Sequence, residues 1–368
     1  MVGDRSSPPS GGEEELATPI EETTGSALSL AELGLTEAQR EAAKSTPELE
    51  VGRVAEDRRI HFLLYTKGGD EVAECLPELL RDARKGLGVR PVVGDFVVFR
   101  RIGKQPLVVI EGVLPRKSQF VRKRAREGLD EQVVAANIDV VLVLTAMTEE
   151  FNARRLERYL SLSAEAGAVP VLVLTKPDLC VTPDEIIAEA GTLGRDVEVV
   201  SIDPREAESV EALEPWLVPG HTLALLGSSG VGKSTLINRL LGQPKQLEGE
   251  VRKDGKGRHT TTTRHLFVSP SKAMLIDTPG MRELGLWAAE SGVRETFHDV
   301  DEIARGCRFL DCSHEHEPGC AVQASVAAGA LDAGRVEGFR KLQAELGELK
   351  TQLARSRKRG RGGKKNRR

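Results

Sequence analysis

Aromatic residues are scarce in this chain, with 2 Trp, 2 Tyr and 9 Phe making up 4% of 368 residues. A protein that holds nucleic acid by stacking bases on rings needs more of them, so any such contact here must lean on backbone charge and shape. Long apolar runs are also missing, and none approaches the ~20 residues that a membrane-spanning helix requires. Cysteine is limited to 5, and no secretory leader is recognisable, which argues for a reducing, cytoplasmic setting and against a disulfide framework. What is present is ample: 39% hydrophobic residues over this length can build two or three separate cores.

The net charge is only −4, but it is unevenly spread. Residues 1–50 carry 11 acidic and 3 basic side chains among Ser, Gly, Pro and Thr, a composition expected to be disordered over most of its length, with a short helix possible within 28–43. Residues 355–368 carry nine Lys or Arg and no acid. Such a tail is expected to be unstructured and suits phosphate backbones, although a solubilising end would read the same way.

Chemistry enters after the apolar run 223–226. Gly227, Ser228, Ser229, Gly230, Val231, Gly232, Lys233 and Ser234 fit G-x4-G-K-[ST], followed by Thr235 and a helical pattern. In such a P-loop, backbone N–H groups and a helix N-terminus face phosphate, the lysine reaches the β- and γ-phosphates, and the hydroxyl of Ser234 binds Mg²⁺. Downstream, the apolar strand 273–276 ends in Asp277-x-x-Gly280, a carboxylate for Mg²⁺ and an N–H for the γ-phosphate. Between them lies Gly257-Arg258-His259-Thr260-Thr261-Thr262, whose hydroxyls at Thr261 and Thr262 could complete the Mg²⁺ shell in a closing switch loop. Upstream, Thr175-Lys176-Pro177-Asp178 follows a third apolar strand and looks like [NT]-K-x-D. A buried carboxylate at Asp178 would accept both hydrogen bonds offered by guanine N1–H and its exocyclic amine, with the stem of Lys176 lying along the base. Ser201, near the end of a fourth strand, falls where the second base-contact loop is expected.

Base-reading motif, second base loop, P-loop, threonine switch and Asp-x-x-Gly therefore follow one another in a circular permutation of the Ras-like order. With the lead-in at 132–139 and the helical segment 151–160, this sequence resembles the ribosome small-subunit-dependent GTPase family, RsgA or YjeQ, over about residues 50 to 350. The resemblance implies GTP hydrolysis coupled to late maturation of the small ribosomal subunit, with that subunit and its rRNA as partners and a monomeric, cytoplasmic protein. An alternative is a nucleotide-gated RNA-binding scaffold whose hydrolysis is incidental. A P-loop ATPase or kinase is disfavoured by Thr175 to Asp178.

Near the C-terminus, Cys307-x4-Cys312-x-His314-x5-Cys320 offers three thiolates and one imidazole, the closed set of a structural zinc. His316 competes as ligand, and the resemblance points to His314. Cys75 and Cys180 have no partner within reach in sequence. Short β-like runs at 53–56, 61–66, 71–75, 95–101 and 107–113 suggest a small barrel. An SH3-like barrel would show the same pattern, and the resemblance implies an oligonucleotide-binding (OB) fold. Arg116, Lys117, Arg122, Lys123, Arg124 and Arg126 form a basic linker after it. Two helices are expected in 321–354, packed on the zinc module. The expected organisation is thus multidomain: leader 1–49, OB barrel 50–118, α/β P-loop GTPase 119–299, zinc-binding helical domain 300–355 and basic tail 356–368.

The water-orienting Gln that follows Asp-x-x-Gly in Ras-type enzymes is absent here, where Met281 stands. A thioether cannot orient water, so His259 is the candidate to do so when its loop orders. Thr175 departs from the more widespread Asn, so one hydrogen bond near the base is lost or replaced.

Overall fold

The computed structural model describes residues 28–58, 60–103, 106–123, 131–194, 196–242, 264–277 and 290–362, with the backbone alone at 122–123, 131, 277 and 352–362. Five strands form the N-terminal barrel: β1 (Glu50–Asp57), β2 (His61–Thr66), β3 (Gly69–Cys75), β4 (Phe96–Arg101) and β5 (Leu107–Val113). Strand β1 pairs with both β2 and β4, β3 runs parallel to β5, and β5 is antiparallel to β4, so the sheet closes on itself and leaves no open edge. Alternate residues of β2 point inward, and Val54, Phe62, Leu64, Val97, Phe99 and Ile110 fill the interior. This Greek-key order is that of an OB-type barrel. Between β3 and β4 lies helix α2 (Pro77–Arg84), unforeseen in the sequence, with Pro at its first turn and Leu79 and Leu80 against the barrel core.

Within the leader, the short helix expected in 28–43 is present, and residues 28–49 are docked on the rest of the molecule. These hold a turn and helix α1 (Glu37–Ala43), which begins with a capping box between Thr36 and Gln39. Leu33 and Leu35 are buried in the main core, and Gln39 donates to Pro115 O at 2.8 Å and to Asn137 Oδ1 at 3.0 Å. Four leucines in an otherwise polar stretch, at 28, 30, 33 and 35, supply enough apolar surface to dock it. Residues 1–27 lie outside the described part.

After the barrel, β6 (Gln119–Lys123) and β7 (Glu131–Ala136) make a two-stranded ribbon where a basic linker was expected; Arg124 and Arg126 fall outside the described residues. The central sheet then runs β10-β9-β8-β11-β13-β12, from β8 (Val140–Ala146), β9 (Val169–Thr175), β10 (Glu198–Ile202), β11 (Thr222–Gly227), β12 (His265–Val268) and β13 (Met274–Asp277). All its pairs are parallel except β12 with β13. Strands β8 and β11 are buried at every position, as central parallel strands covered on both faces must be. Val141, Val143, Ala224 and Leu226 join one core, and Leu142, Leu144, Leu223 and Leu225 the other. The permutation is visible in the pairing: β11 lies between β8, which precedes it, and β13, which follows.

Helix α3 (Ala153–Glu165), which follows β8, carries the C-terminal part. There α7 (Glu290–Thr296) packs against α3, with Ser291 Oγ donating to Glu165 Oε2 at 2.6 Å, and α8 (His298–Ala304), α9 (Ala321–Ala327) and α10 (Ala333–Gly362) follow. The two helices expected in 321–354 are α9 and α10, and α10 runs on past that range to Gly362. Phe339 lies 6.2 Å from the ring of His314 and 5.6 Å from that of Phe297, while Arg158 of α3 pairs with Glu345. The backbone stays helical to Gly362, into the segment expected to be unstructured, because Arg and Lys are good helix formers even without an apolar face.

Two buried arginines hold these parts together. Arg53 of β1, 1% exposed, donates to Leu33 O, Gly94 O, Asn137 O and Thr222 Oγ1 at 2.6–3.2 Å, and its guanidinium lies over Phe96. It thereby joins the leader, the barrel and the strand of the P-loop. Arg335 of α10, 7% exposed, grips Asp299 of α8 with two bonds at 2.6 and 2.8 Å and reaches Glu157 of α3 at 3.1 Å.

Candidate GTP site and metal centre

The ends of β8, β9, β10 and β11 that carry the expected motifs emerge at the same edge of the sheet. Gly227 pairs with Leu144, Ala146 with Thr175, and Thr175 with Ile202. This carboxyl edge is where open parallel sheets bind ligands. The glycine loop leaves β11 at Gly227, whose φ of 148° and close approach to β8 exclude a side chain: a Cβ there would sit 2.5 Å from Leu144 O. It ends at Gly232, the N-cap of α6 (Lys233–Leu241), so the start of a helix, the end that suits an anion, opens at this edge beside the exposed Ser234 and Thr235. Lys233 Nζ donates to Gly227 O at 2.8 Å and to Ser228 O, which folds the ammonium over the loop. Ser229 and Gly230 are exposed, Val231 is buried as the loop's anchor, and Ser228 Oγ lies 3.4 Å from Glu150 Oε2.

Thr175 is fully buried, and its hydroxyl donates to Val231 O of the glycine loop at 2.8 Å. With Thr where Asn is more widespread, the hydroxyl makes a bond that ties the end of β9 to the glycine loop. Lys176 takes a left-handed conformation, φ 58° and ψ 48°, and Pro177–Leu179 form a single 3-10 turn. Asp178 was expected to be buried; it is exposed at this turn, beyond the last residue of β9, where the sheet no longer covers it. Its Oδ2 accepts from Arg205 Nη2 at 3.0 Å. Arg205 is a residue the sequence reading overlooked, since a lone Arg after Asp203-Pro204 carries no motif. Ser201 Oγ lies 3.6 Å from Met147 Sδ rather than at Asp178.

The backbone of Asp277 ends β13 beside β11, at the same sheet edge. Gly280 and Met281, together with His259, Thr260, Thr261 and Thr262, lie outside the described residues.

The C-terminal cysteines and histidine come together. One ligand atom from each of Cys307, Cys312, His314 and Cys320 lies within 4.8 Å of the others. Cys307 Sγ to His314 Nδ1 is 3.6 Å, Cys320 Sγ to Nδ1 3.5 Å and the two sulfurs 3.9 Å apart. Tetrahedral ligands about 2.0–2.3 Å from a common ion stand roughly 3.5–3.8 Å from one another, so this donor set fits one zinc. His316 is outside the group. Burial disfavours the charged imidazole of His314, and with the nearby Arg340 charge it outweighs the opposing pull of Glu317 and leaves the pKa lowered. Its left-handed backbone, φ 57°, and the bond from Gln323 Nε2 to its carbonyl turn Nδ1 toward the thiols. Cys320 is also the N-cap of α9.

Among the described residues no helix is long and apolar enough to cross a membrane. Residues 113–287 match the family model of the RsgA GTPase. A protein of Opitutus terrae named small ribosomal subunit biogenesis GTPase RsgA is 43% identical, over 80% of this chain and 82% of its own length. One of the same name from Xylella fastidiosa strain M23 is 47% identical over 70% of this chain and 76% of its length. Among solved structures, YjeQ from Thermotoga maritima superposes with a TM-score of 0.61 at 24% identity, covering 81% of this chain and 98% of that one. YloQ, described as a circularly permuted GTPase, gives 0.57 at 23%, over 82% and 96%.

Proposed function

This chain belongs to the RsgA GTPase family, and from that premise we propose that it hydrolyses GTP to GDP and phosphate in the biogenesis of the small ribosomal subunit. The observation that carries the assignment to this chain's own residues is the bond from Thr175 Oγ1 to Val231 O, because it fixes a base-reading turn and a phosphate loop at one sheet edge in the permuted order. Backbone N–H groups of residues 228–235 cradle the phosphates, Lys233 neutralises the β- and γ-oxygens, and Asp178 reads guanine beside the stem of Lys176 and the loop after Ser201. Mg²⁺ is held by Ser234 with Thr261, Thr262 and Asp277, and the Gly280 N–H meets the γ-phosphate. With Met281 where a Gln would orient water, turnover is slow until the subunit orders the loop that brings in His259. The OB barrel and the basic C-terminus grip rRNA backbone, one zinc holds Cys307, Cys312, His314 and Cys320 together, and the protein acts as a cytoplasmic monomer.

GTP turnover measured with and without purified small subunits tests this reading. Strong stimulation is expected, and its loss in His259→Ala with nucleotide affinity unchanged. Turnover indifferent to the subunit would leave a nucleotide-gated RNA-binding scaffold instead.

A further inference from the structure

Arg205 sits in the loop after β10, and its position is fixed from several sides. Its Nε donates to Asp203 Oδ1 at 2.9 Å and Oδ2 at 3.0 Å, its Nη2 to Asp203 Oδ2 at 2.5 Å, and its own N–H to Asp203 Oδ1 at 2.9 Å. Asp203 is 7% exposed, and its backbone N–H is held by Ser209 Oγ at 2.8 Å. The carbonyl of Arg205 accepts from Arg239 of α6, the helix that begins at the phosphate loop. From this anchored base the same Nη2 reaches across to Asp178 Oδ2 at 3.0 Å. Ser201, the other polar side chain at the end of β10, faces Met147 instead.

We propose that Arg205 is a positioning residue for base recognition, holding the Asp178 carboxylate in the orientation that accepts both guanine N–H groups. The proposal rests on Asp178 reading the base. A carboxylate oxygen has two lone pairs, so Oδ2 can keep the bond from Arg205 while accepting one from the nucleotide. Without Arg205, an exposed carboxylate on a single 3-10 turn rotates freely about its side-chain torsions, and a pair of simultaneous bonds is what such freedom costs most. The guanidinium is suited to this bridging because its fork serves two carboxylates at once, which an ammonium cannot do in fixed geometry. The charge arrangement agrees: the Arg205 hydrogen bonds hold the Asp203 carboxyl below its ordinary range.

Calorimetric titration of the full-length protein with GDP, IDP and XDP separates the possibilities, because inosine lacks the exocyclic amine and so offers Asp178 one hydrogen bond in place of two. Arg205→Ala is expected to weaken GDP about three- to tenfold, in line with loss of a partly exposed charged hydrogen bond, and IDP less, so that the GDP-over-IDP preference shrinks. Arg205→Lys should recover part of the GDP affinity, and Asp203→Asn should copy part of the Arg205→Ala loss. Equal weakening of GDP and IDP, no change in either, or tighter GDP binding by Arg205→Ala would each overturn the proposal. Asp178→Asn is the separate control. A shift of preference toward XDP supports base reading by Asp178, and its absence defeats that reading itself, whatever Arg205→Ala does.

Discussion

The barrel and the C-terminal helices are each joined to the GTPase domain through a buried arginine, yet the two junctions are built on opposite electrostatics. Arg53 meets neutral partners only: backbone carbonyls of Leu33, Gly94 and Asn137, the Thr222 hydroxyl, the Met274 sulfur and the face of Phe96. Burial pulls its pKa down to about 10, partly offset by the more distant charges of Asp139 and Asp95. Arg335 instead sits between Asp299 and Glu157, and Glu157 has a second cation in Arg154 at 2.8 Å. One junction spends its hydrogen bonds on fixed backbone from distant segments and so defines a rigid geometry. The other is an ion cluster whose members lie on three helices, α3, α8 and α10, and whose strength depends on their protonation. The permutation explains where each is placed. Both the P-loop strand and β13 touch Arg53, whereas the chain beyond β13 leads through α7 to the helices that Arg335 gathers.

The largest expected effect comes from stripping the zinc proposed for Cys307, Cys312, His314 and Cys320, which lies beside the C-terminal junction. A structural zinc site contributes on the order of 10 kcal/mol of binding free energy to the fold around it. A strong chelator should therefore melt the 298–327 region and loosen α10, seen as loss of amide-exchange protection there, while protection at Arg53 and in the barrel persists. Uniform loss of protection over the whole chain would show that the two junctions are not separable.

Arg53→Met comes next. It keeps a long apolar stem but orphans several buried acceptors, each worth about 1–3 kcal/mol when left unpaired. A net loss of about 3–5 kcal/mol in urea unfolding is expected, because relaxation lets some acceptors find water or new partners. Limited proteolysis should then cut between barrel and GTPase before any cut near α10. A loss below about 1 kcal/mol would mean that the barrel is held by its strand pairing to β12 and the docked 28–49 segment alone.

These junctions also mark what the sequence could and could not disclose. The glycine loop at 227–234, the turn at Thr175 to Asp178 and the clustering of Cys307, Cys312, His314 and Cys320 were legible because each is a short run whose pattern is set by spacing. The barrel strands were legible from alternation, to within a few residues at β1 and with the same limits at β2 and β5. Arg53 and Arg335 were not, since their partners lie up to 221 and 178 residues away in chain order and nothing local distinguishes them from surface arginines. The docking of residues 28–49 was hidden by their polar neighbours, and α2 by its brevity. The exposure of Asp178 escaped because burial at a strand's end depends on how far the turn carries the chain past the sheet.

The smallest effect sharpens the contrast through pH. Burial works against the ionised Asp299, but the bidentate bonds from Arg335 outweigh it and leave the pKa below its ordinary value. A carboxyl lowered by folding stabilises the protein fully above its unfolded pKa, and that contribution is lost as pH falls through the lowered value. Glu157 runs the other way: burial dominates over Arg154 and Arg335 and raises its pKa, so it favours the fold at low pH and gives that up as pH rises through the raised value. Asp299→Asn should accordingly be less stable than the parent at pH 7, and the gap should narrow as pH is lowered below the ordinary carboxylate range. The gap between Arg53→Met and the parent should stay flat over the same interval, because Arg53 remains protonated until about pH 10. Urea midpoints for the three proteins across acid and neutral pH make the comparison. Parallel curves for both variants would erase the distinction between an ion-paired junction and a neutral one, and with it the reason to expect the C-terminal helices to respond to charge while the barrel does not.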